Sequence, residues 1–182
     1  LSKRTNRLGD VDFDVGVMMN VTSEHLEFHG TYEQYRDDKA NLFENLNLFG
    51  VVNGDDKASS LFASKTEKPV YSFIKDKTSV KEIFTENYLM TDIKSDAKGE
   101  DFSLEVINQC DIKKLEDFRI DLPGTFNVYN STAAAIVVSK LLNITLEELK
   151  PALKALTPVK GRMTVVDEGQ DFEVIVDYAH TP

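Results

Sequence analysis

The chain has 182 residues, of which 41% are hydrophobic and 29% are charged; this balance fits one folded domain and excludes a disordered chain. Its net charge of −10 excludes the basic surface of a general nucleic-acid binder, and no nucleic-acid partner is expected. An anionic ligand must be met by local cations, because the overall field repels it. A single cysteine cannot build a disulfide framework, which indicates a reducing compartment and predicts a cytoplasmic location.

Strands and helices alternate along the first third of the chain. Thr31 and Gln34 have the spacing of a capping box, in which the threonine hydroxyl caps the helix start and the glutamine reaches back. Asp55 and Asp56 are placed to cap a second, short helix. The predicted elements are, in order, a buried parallel strand over 13–20, a helix over 32–46, a strand over 48–53 and a helix through 62.

The middle of the chain changes to strands separated by charged or glycine-containing turns, which predicts a small antiparallel or mixed sheet. The remaining predicted elements are strands over 70–74, 87–93, 102–107 and 118–122, helices over 126–142 and from a capping box at 145–148 to about 156, and closing strands over 163–166 and 173–178. The whole pattern predicts an α/β domain, with a mostly parallel sheet flanked by helices and this smaller subsheet. The longest apolar run is too short to span a bilayer, so no membrane partner is expected.

Lys39 falls on the apolar stripe of the first predicted helix. A lysine in that position can extend its amine to solvent, pair with an acid, or serve a site through altered chemistry. The pattern leaves these alternatives open. The apolar members of the stripe are Tyr32, Tyr35, Leu42, Phe43 and Leu46.

Two histidines, His25 and His29, are four residues apart. On a helix this spacing could place both on one metal ion. The metalloprotease pattern needs a glutamate directly after the first histidine, and Leu26 occupies that position. A loop in which one histidine caps or packs is the alternative, and a zinc protease is not expected.

Further polar residues lie next to predicted helix starts and strand ends. Asn127 and Asn130 open an apolar helix, where amides either cap the helix or read the edge of a planar ring. Arg162 precedes a strand and can reach a phosphate or be solvated. Asp177 and His180 follow an apolar run that predicts a buried strand, and α/β sheets bind ligands beyond the carboxyl ends of such strands.

In combination, these motifs resemble the Mur ligases, and most closely the MurE type, which adds the third residue to UDP-N-acetylmuramoyl-dipeptide. The resemblance covers residues 7–182, although the charged middle over 58–121 carries little recognisable signature. The His-x-x-x-His-Gly motif and the closing Asp-Tyr-Ala-His-Thr-Pro are specific in combination. The motifs occupy residues 20–30, 35–39, 124–130, 161–163 and 177–182.

The resemblance implies a reaction in which ATP phosphorylates a carboxylate and an amine attacks the acyl phosphate. It implies ATP and Mg²⁺ as cofactors, since cations must neutralise the charge that accumulates. Lys39 matches a lysine that carbon dioxide carbamylates into an anionic oxygen ligand, and His25 matches a histidine that ligates magnesium. The other matching positions are Asn127 and Asn130 at the adenine, Arg162 at the ATP phosphates, Asp177 at the ribose with His180 close by, and Arg7 at the UDP-sugar substrate.

The resemblance also implies that residues 1–182 are part of a central, ATP-binding domain truncated at its N-terminal side. The family's phosphate loop ends in Gly-Lys-Thr, and these residues contain no Gly-Lys pair. The chain also begins without methionine. We therefore expect a fragment without the UDP-binding domain, phosphate loop or C-terminal domain, inactive alone. The full-length enzyme is expected to be a monomer that acts on UDP-N-acetylmuramoyl-dipeptide and an amino acid.

Two other functions remain open. One is a related ligase, such as folylpolyglutamate synthetase or another Mur step. The other is a non-catalytic nucleotide-binding module. The segment over 22–30 fits the MurE type better, and an assay of the acceptor distinguishes these functions.

Overall fold

The computed structural model describes residues 11–22, 31–109, 111–159, 161, 164–166, 168–172 and 174–178. The first half contains β1 (Phe13–Met18), α1 (Tyr32–Ala40), β2 (Leu46–Asn53), α2 (Ser59–Ser64) and β3 (Val70–Ile74). The second half contains β4 (Glu86–Asp96), β5 (Gly99–Ile107), β6 (Ile112–Ile120), α3 (Thr125–Leu142), α4 (Lys150–Lys154), β7 (Thr164–Val166) and β8 (Val174–Val176). Short 3₁₀ turns occupy Asn41–Phe43 and Lys77–Ser79.

Strands β1 to β6 form one sheet in chain order. The pairings from β1 to β4 are parallel, and those from β4 to β6 are antiparallel. The predicted α/β fold, with a mostly parallel sheet and an antiparallel part, is confirmed. The antiparallel part continues the parallel sheet, and β3 belongs to the parallel side because it pairs with β2 and β4 in the parallel sense.

Helices cover both faces of this sheet, as a mainly parallel sheet requires. The neighbouring residues Val51 and Val52 of β2 are both fully buried, and they lie in different core clusters because successive side chains of a strand point to opposite faces. The cluster with Val51 contains residues of α3 and α4, and the cluster with Val52 contains residues of α1 and α2. Among the described residues, no helix has both the length and the apolar character that crossing a membrane requires.

The first predicted helix is too long. The structure ends α1 at Ala40, continues with the 3₁₀ turn, and starts β2 at Leu46, which pairs with Phe13. The reason is Phe43, whose buried ring lies over two strand glycines. A Cβ added at Gly50 would lie 2.5 Å from that ring. The apolar residues from 42 to 46 therefore belong to a turn and a strand, and they do not extend the apolar face of α1.

The other predicted boundaries fare differently. Helix α3 and strand β3 are confirmed, whereas the strand predicted over 118–122 is the end of a longer β6. The capping box at Thr145 is present, since the Glu148 side chain accepts from the Thr145 N–H at 2.7 Å. The residues after it form turns, however, and only Lys150–Lys154 are helical. The helix predicted to reach 156 is thus wrong in extent.

The closing strands pair with each other, as predicted. β7 and β8 form a separate two-stranded antiparallel sheet, in which Thr164 pairs with Val176. The prediction that the run before Asp177 is a buried strand is wrong, because Val174, Ile175 and Val176 are all exposed. A ribbon of two strands outside the six-stranded sheet leaves these side chains uncovered.

Candidate functional site

The parallel strands β1, β2 and β3 end at one edge of the sheet, where α/β proteins bind ligands. The chain leaves β2 through Gly54, Asp55 and Asp56, next to the segment that follows β1. Helix α3 reaches the same edge, because the hydroxyl of Tyr129 contacts Asp55. The residues at this edge come from four separate segments of the chain.

A cleft of about 360 Å³ lies at the start of α3. Phe126 and Val159 are 50% and 71% exposed and offer apolar surface to a ligand. The amides of Asn127 and Asn130 supply polar groups between them. A flat apolar group with a polar edge, such as a nucleobase, fits this combination. The full lining is Leu122, Pro123, Phe126, Asn127, Asn130, Thr157, Pro158 and Val159.

The two amides behave differently, although the sequence offered the same two alternatives for both. Asn127 Nδ2 donates to the Pro123 carbonyl oxygen at 2.8 Å, so this side chain secures the helix start. Asn130 is exposed on the cleft, and within the described part of the chain its amide has no hydrogen-bond partner. Asn130 is therefore the side chain that can meet a ligand without breaking a bond to the protein.

A buried carboxylate holds the loop that begins α3. Glu100 is 1% exposed, and its Oε1 accepts from the Gly124 N–H at 2.7 Å. Its Oε2 accepts from the Ser95 hydroxyl at 2.6 Å. Gly124 has a φ of 102°, a backbone conformation that favours glycine. Glu100 is not among the predicted site residues, because in the sequence it is only an acid beside a glycine at a predicted turn.

Asp55 connects α3 to the loop after β3. Its carboxylate accepts from the Tyr129 hydroxyl at 3.0 Å and from the N–H groups of Lys75 and Asp76 at 2.8 and 3.2 Å. Burial and the neighbouring Asp55 raise the pKa of Tyr129, so the hydroxyl remains a donor. Asp55 was predicted to cap a helix; it bonds to these three groups instead.

Asp56 connects the loop after β2 to the loop after β1. Its Oδ2 accepts from the Val21 N–H at 2.8 Å, and its Oδ1 accepts from the Ala58 N–H at 2.7 Å, just before α2. Tyr32, in the first turn of α1, donates its hydroxyl to the Val21 carbonyl oxygen at 3.2 Å. Both backbone polar groups of Val21 are thus fixed. The N-cap of α1 is Thr31 as predicted, while Gln34 bonds to Asp38.

Lys39 is exposed, and its amine lies 5.2 Å from the centroid of the buried Tyr35 ring. This is the arrangement in which a lysine extends its amine to solvent, and the ring faces the cation as in a cation–π contact. His25 and His29 lie outside the described residues. Within the described ranges, no group of three or more His, Cys, Asp or Glu side chains is placed to hold a metal ion. The metal-binding roles of Lys39 and His25 stay predictions.

The remaining predicted site residues are only partly described. Asp177 follows β8 and is exposed. Arg7, Arg162 and His180 lie outside the described residues. The structure therefore brings Asn127 and Asn130 together in one cleft, and the relation of the other predicted residues to this cleft stays a prediction.

A sequence model of the Mur ligase middle domain matches residues 2–138. The UDP-N-acetylmuramyl-tripeptide synthetase of Treponema denticola is 44% identical, in an alignment that covers 100% of this chain and 35% of that protein. The UDP-N-acetylmuramoyl-L-alanyl-D-glutamate–2,6-diaminopimelate ligase of Caldanaerobacter subterraneus is 36% identical, over 97% of this chain and 34% of that protein. The chain thus spans about a third of the length of these curated relatives.

Solved structures share the fold at low sequence identity. MurF from Acinetobacter baumannii superposes with a TM-score of 0.69 at 17% identity, over 93% of this chain and 34% of that one. MurF from Thermotoga maritima in complex with ADP gives 0.63 at 21% identity, over 89% and 35%. An FPGS–AMPPCP complex gives 0.65 at 19% identity, over 93% and 40%. The likeness at these identities concerns the fold.

Proposed function

We propose that this chain, which belongs to the Mur ligase middle domain family, supplies the nucleotide-binding part of an ATP-dependent ligase. The longer protein would add the third amino acid to UDP-N-acetylmuramoyl-dipeptide. The observation that carries the proposal is the cleft at the start of α3, in a chain 44% identical along its whole length to a tripeptide synthetase. In this proposal residues 1–182 are a partial central domain, inactive alone, and the UDP-binding and C-terminal domains lie elsewhere in the longer protein.

The reaction has two steps. A carboxylate oxygen of the muramoyl dipeptide attacks the γ-phosphorus of ATP, which gives an acyl phosphate and ADP. The amine of the incoming amino acid then attacks the acyl carbon, and phosphate leaves with the electrons of the broken C–O bond. Both steps bring anions together, so the site must supply positive charge and position.

The chain's own residues hold the nucleotide. Phe126 and Val159 take the faces of the adenine, and Asn130 reads its polar edge, while Asn127 keeps the helix start in place. Asp177 is assigned to the ribose. The outer parts of the site are assigned from the family motifs, with Arg162 at the phosphates, His180 near the ribose and Arg7 at the UDP-sugar.

Magnesium ligands in this proposal are His25 and a carbamylated Lys39. The assignment of Lys39 rests on the family motif; in the structure its amine is exposed and faces the Tyr35 ring at 5.2 Å. The resulting carbamate offers oxygen atoms, which hard cations prefer. Magnesium, when bound, would neutralise the charge on the reacting phosphoryl group.

The proposal includes a cytoplasmic, monomeric enzyme whose partners are ATP, the UDP-linked dipeptide and an amino acid. The runner-up is a ligase with another acceptor. It is supported by the fold shared with FPGS and MurF structures, which reaches TM-scores of 0.65 and 0.69. A nucleotide-binding module without catalysis is the third possibility, and an acceptor assay distinguishes all three.

The test uses the full-length protein that contains this chain. ADP formation is measured with UDP-N-acetylmuramoyl-dipeptide and each candidate amino acid, together and separately. We expect ADP only when both are present. Asn130→Ala should raise the KM for ATP about tenfold, because the polar edge of the adenine loses its hydrogen-bond partner. Asn45→Ala removes an exposed amide from the turn before β2 and should leave the KM unchanged.

Three results would contradict parts of this proposal. ADP formation with a pteroyl glutamate, and none with the muramoyl dipeptide, would favour the runner-up. ATP binding without turnover under any acceptor would favour the non-catalytic module. Equal KM values for wild type and Asn130→Ala would move the adenine away from this cleft.

A further inference from the structure

Three hydrogen bonds and the backbone between Asp55 and Asp56 connect α1 to α3 across the carboxyl edge of the sheet. Tyr32 on α1 donates to the Val21 carbonyl at 3.2 Å, and the Val21 N–H donates to Asp56 at 2.8 Å. Asp55, next along the chain, accepts from Tyr129 on α3 at 3.0 Å. The two adjacent carboxylates therefore join two helices that lie on opposite faces of the sheet.

One end of this path belongs to the helix that lines the cleft, and the other end precedes, in the sequence, the segment to which the proposed function assigns magnesium. Tyr129 lies between Asn127 and Asn130 in the sequence of α3, so its position sets the side of the helix that lines the cleft. At the other end, Val21 immediately precedes Thr22 and the segment 23–30, which contains His25. Neither Asp55 nor Asp56 lines the cleft itself. Any effect they have on the reaction must pass through the groups they hold.

The chemistry of the path favours a rigid connection. Asp55 and Asp56 are half-buried, and each accepts from at least two donors on different segments. Bonds to a carboxylate are shorter and stronger than those between neutral groups. Burial, together with Asp55, raises the pKa of Tyr129, so this link persists through the neutral range.

We propose that Asp55 and Asp56 form a positioning pair that fixes the adenine-binding helix α3 relative to the loop after β1. This inference rests on the proposed ligase function. Asp55 holds the cleft side through Tyr129, and Asp56 holds Val21, which precedes the segment with the His25 that the proposed function assigns to magnesium. In this proposal ATP binding depends on the position of α3, and acyl phosphate formation depends on the loop after β1, where small misplacements of reacting groups cost large factors in rate.

The first test removes only one hydroxyl. Tyr129→Phe keeps the ring, whose edge packs on Phe73 at a centroid distance of 6.1 Å, and deletes the bond to Asp55. In the full-length protein we expect the KM for ATP to rise about three- to tenfold, with kcat changed less than twofold, because the loss affects nucleotide placement. Direct titration with ATP should give the same shift in Kd.

The matched control removes a tyrosine hydroxyl near the last turn of α3, where Glu86 also accepts from Lys140 at 2.8 Å. Tyr88, on β4, also donates its hydroxyl to a carboxylate, that of Glu86. Burial raises the pKa of Tyr88, and the bond to Glu86 raises it further. Tyr88→Phe should lower the free energy of unfolding by an amount similar to Tyr129→Phe, and it should leave the KM for ATP unchanged. A purely structural role for Tyr129 would predict the same kinetics for both variants.

The second test follows the other half of the pair by hydrogen exchange and by kinetics. Asp56→Ala removes the acceptor of the Val21 N–H. We expect the Val21 amide to exchange with solvent deuterium at least tenfold faster in the variant. In the full-length protein, Asp56→Ala should lower kcat by a larger factor than it raises the KM for ATP. Tyr129→Phe should mainly change the KM for ATP, whereas Asp56→Ala should mainly change kcat. This difference is expected if the two carboxylates position different parts of the site.

The outcomes separate this inference from the function on which it rests. Unchanged kinetics in Tyr129→Phe, or equal shifts in Tyr129→Phe and Tyr88→Phe, would overturn the positioning pair while the ligase assignment stands. Unaltered exchange of Val21 in Asp56→Ala would do the same. A wild-type full-length protein that does not bind ATP would overturn the proposed function, and the inference with it.

Discussion

Two asparagines at the start of α3 have different roles: Asn127 secures the helix start, and Asn130 faces the cleft. The positions of Asn127 and Asn130 at a helix start follow from the pattern, and residues three apart share one face of a helix. Which amide caps and which faces the cleft depends on the turn at Pro123, whose carbonyl accepts from Asn127. That choice involves the geometry of the preceding turn, and no periodicity in the sequence encodes it.

Lys39 was singled out because it interrupts an apolar stripe, and the structure changes the meaning of that stripe. Helix α1 ends one residue later, at Ala40, and the Phe43 ring packs over Gly16 and Gly50 of the sheet. The lysine therefore lies near a helix end, with its stem along Tyr35 and its amine exposed. Sequence periodicity could not locate this helix end, because the apolar residues of the following turn and of the start of β2 continue the spacing of the helix.

Carbamylation of Lys39 makes a direct prediction. Depleting dissolved carbon dioxide should lower the ligase activity of the full-length protein at least tenfold, and bicarbonate should restore it, because the carbamate supplies oxygen ligands for the cation. ¹³C-labelled bicarbonate should give a carbamate signal that Lys39→Arg abolishes. Lys154→Arg, an exposed lysine of α4, is the control and should keep the signal. Full activity without carbon dioxide would count against the modification.

At the scale of elements, the sequence predicts which helices and strands exist better than how they are joined. Helix α3 is evident from its apolar composition, but the carboxylate that holds its start lies 24 residues earlier, at Glu100. Gly99 lets β5 begin there, because a Cβ at Gly99 would overlap the carbonyl oxygen of Ile120. The predicted strand began at 102, so Glu100 was assigned to a turn, and its contact with Gly124 could not be foreseen.

Glu100 gives the element-scale prediction. Glu100→Ala leaves the Gly124 N–H and the Ser95 hydroxyl without their partner, which should lower the free energy of unfolding by about 1–3 kcal/mol. Glu100→Gln keeps an acceptor for Gly124 and should recover most of this loss. The measurement is urea denaturation of this chain, with ATP titration of the full-length protein; Glu100→Ala should also weaken ATP binding.

The control for Glu100 is Glu116, an exposed acid on the neighbouring strand β6. Glu116 pairs with Lys114 at the surface, at 3.0 Å and with its side chain 61% exposed. Such pairs contribute little, so Glu116→Ala should change the free energy of unfolding by less than about 1 kcal/mol. A Glu100→Ala protein as stable as wild type would show that the start of α3 does not depend on this carboxylate.

For the whole molecule, alternating strands and helices were sufficient to predict an α/β domain with helices on both faces. The continuity of its two parts was not predictable, since β4 pairs in parallel with β3 and antiparallel with β5. The exposure of β8 was not predictable either, because an apolar run in a two-stranded ribbon looks the same in sequence as a buried strand. The same holds for the site. The sequence predicts which polar residues lie at the carboxyl edge of the sheet, but it does not predict which groups they bond to.

In the proposed function, the protein that contains this chain forms an amide through an acyl phosphate. The most direct test labels the reacting carboxylate of UDP-N-acetylmuramoyl-dipeptide with ¹⁸O, adds ATP and the amino acid, and analyses the released phosphate by mass spectrometry. We expect one labelled oxygen in each phosphate, because the amine displaces the phosphate by breaking the bond between the acyl carbon and that oxygen. Phosphate without label, released while ATP is consumed, would contradict the account.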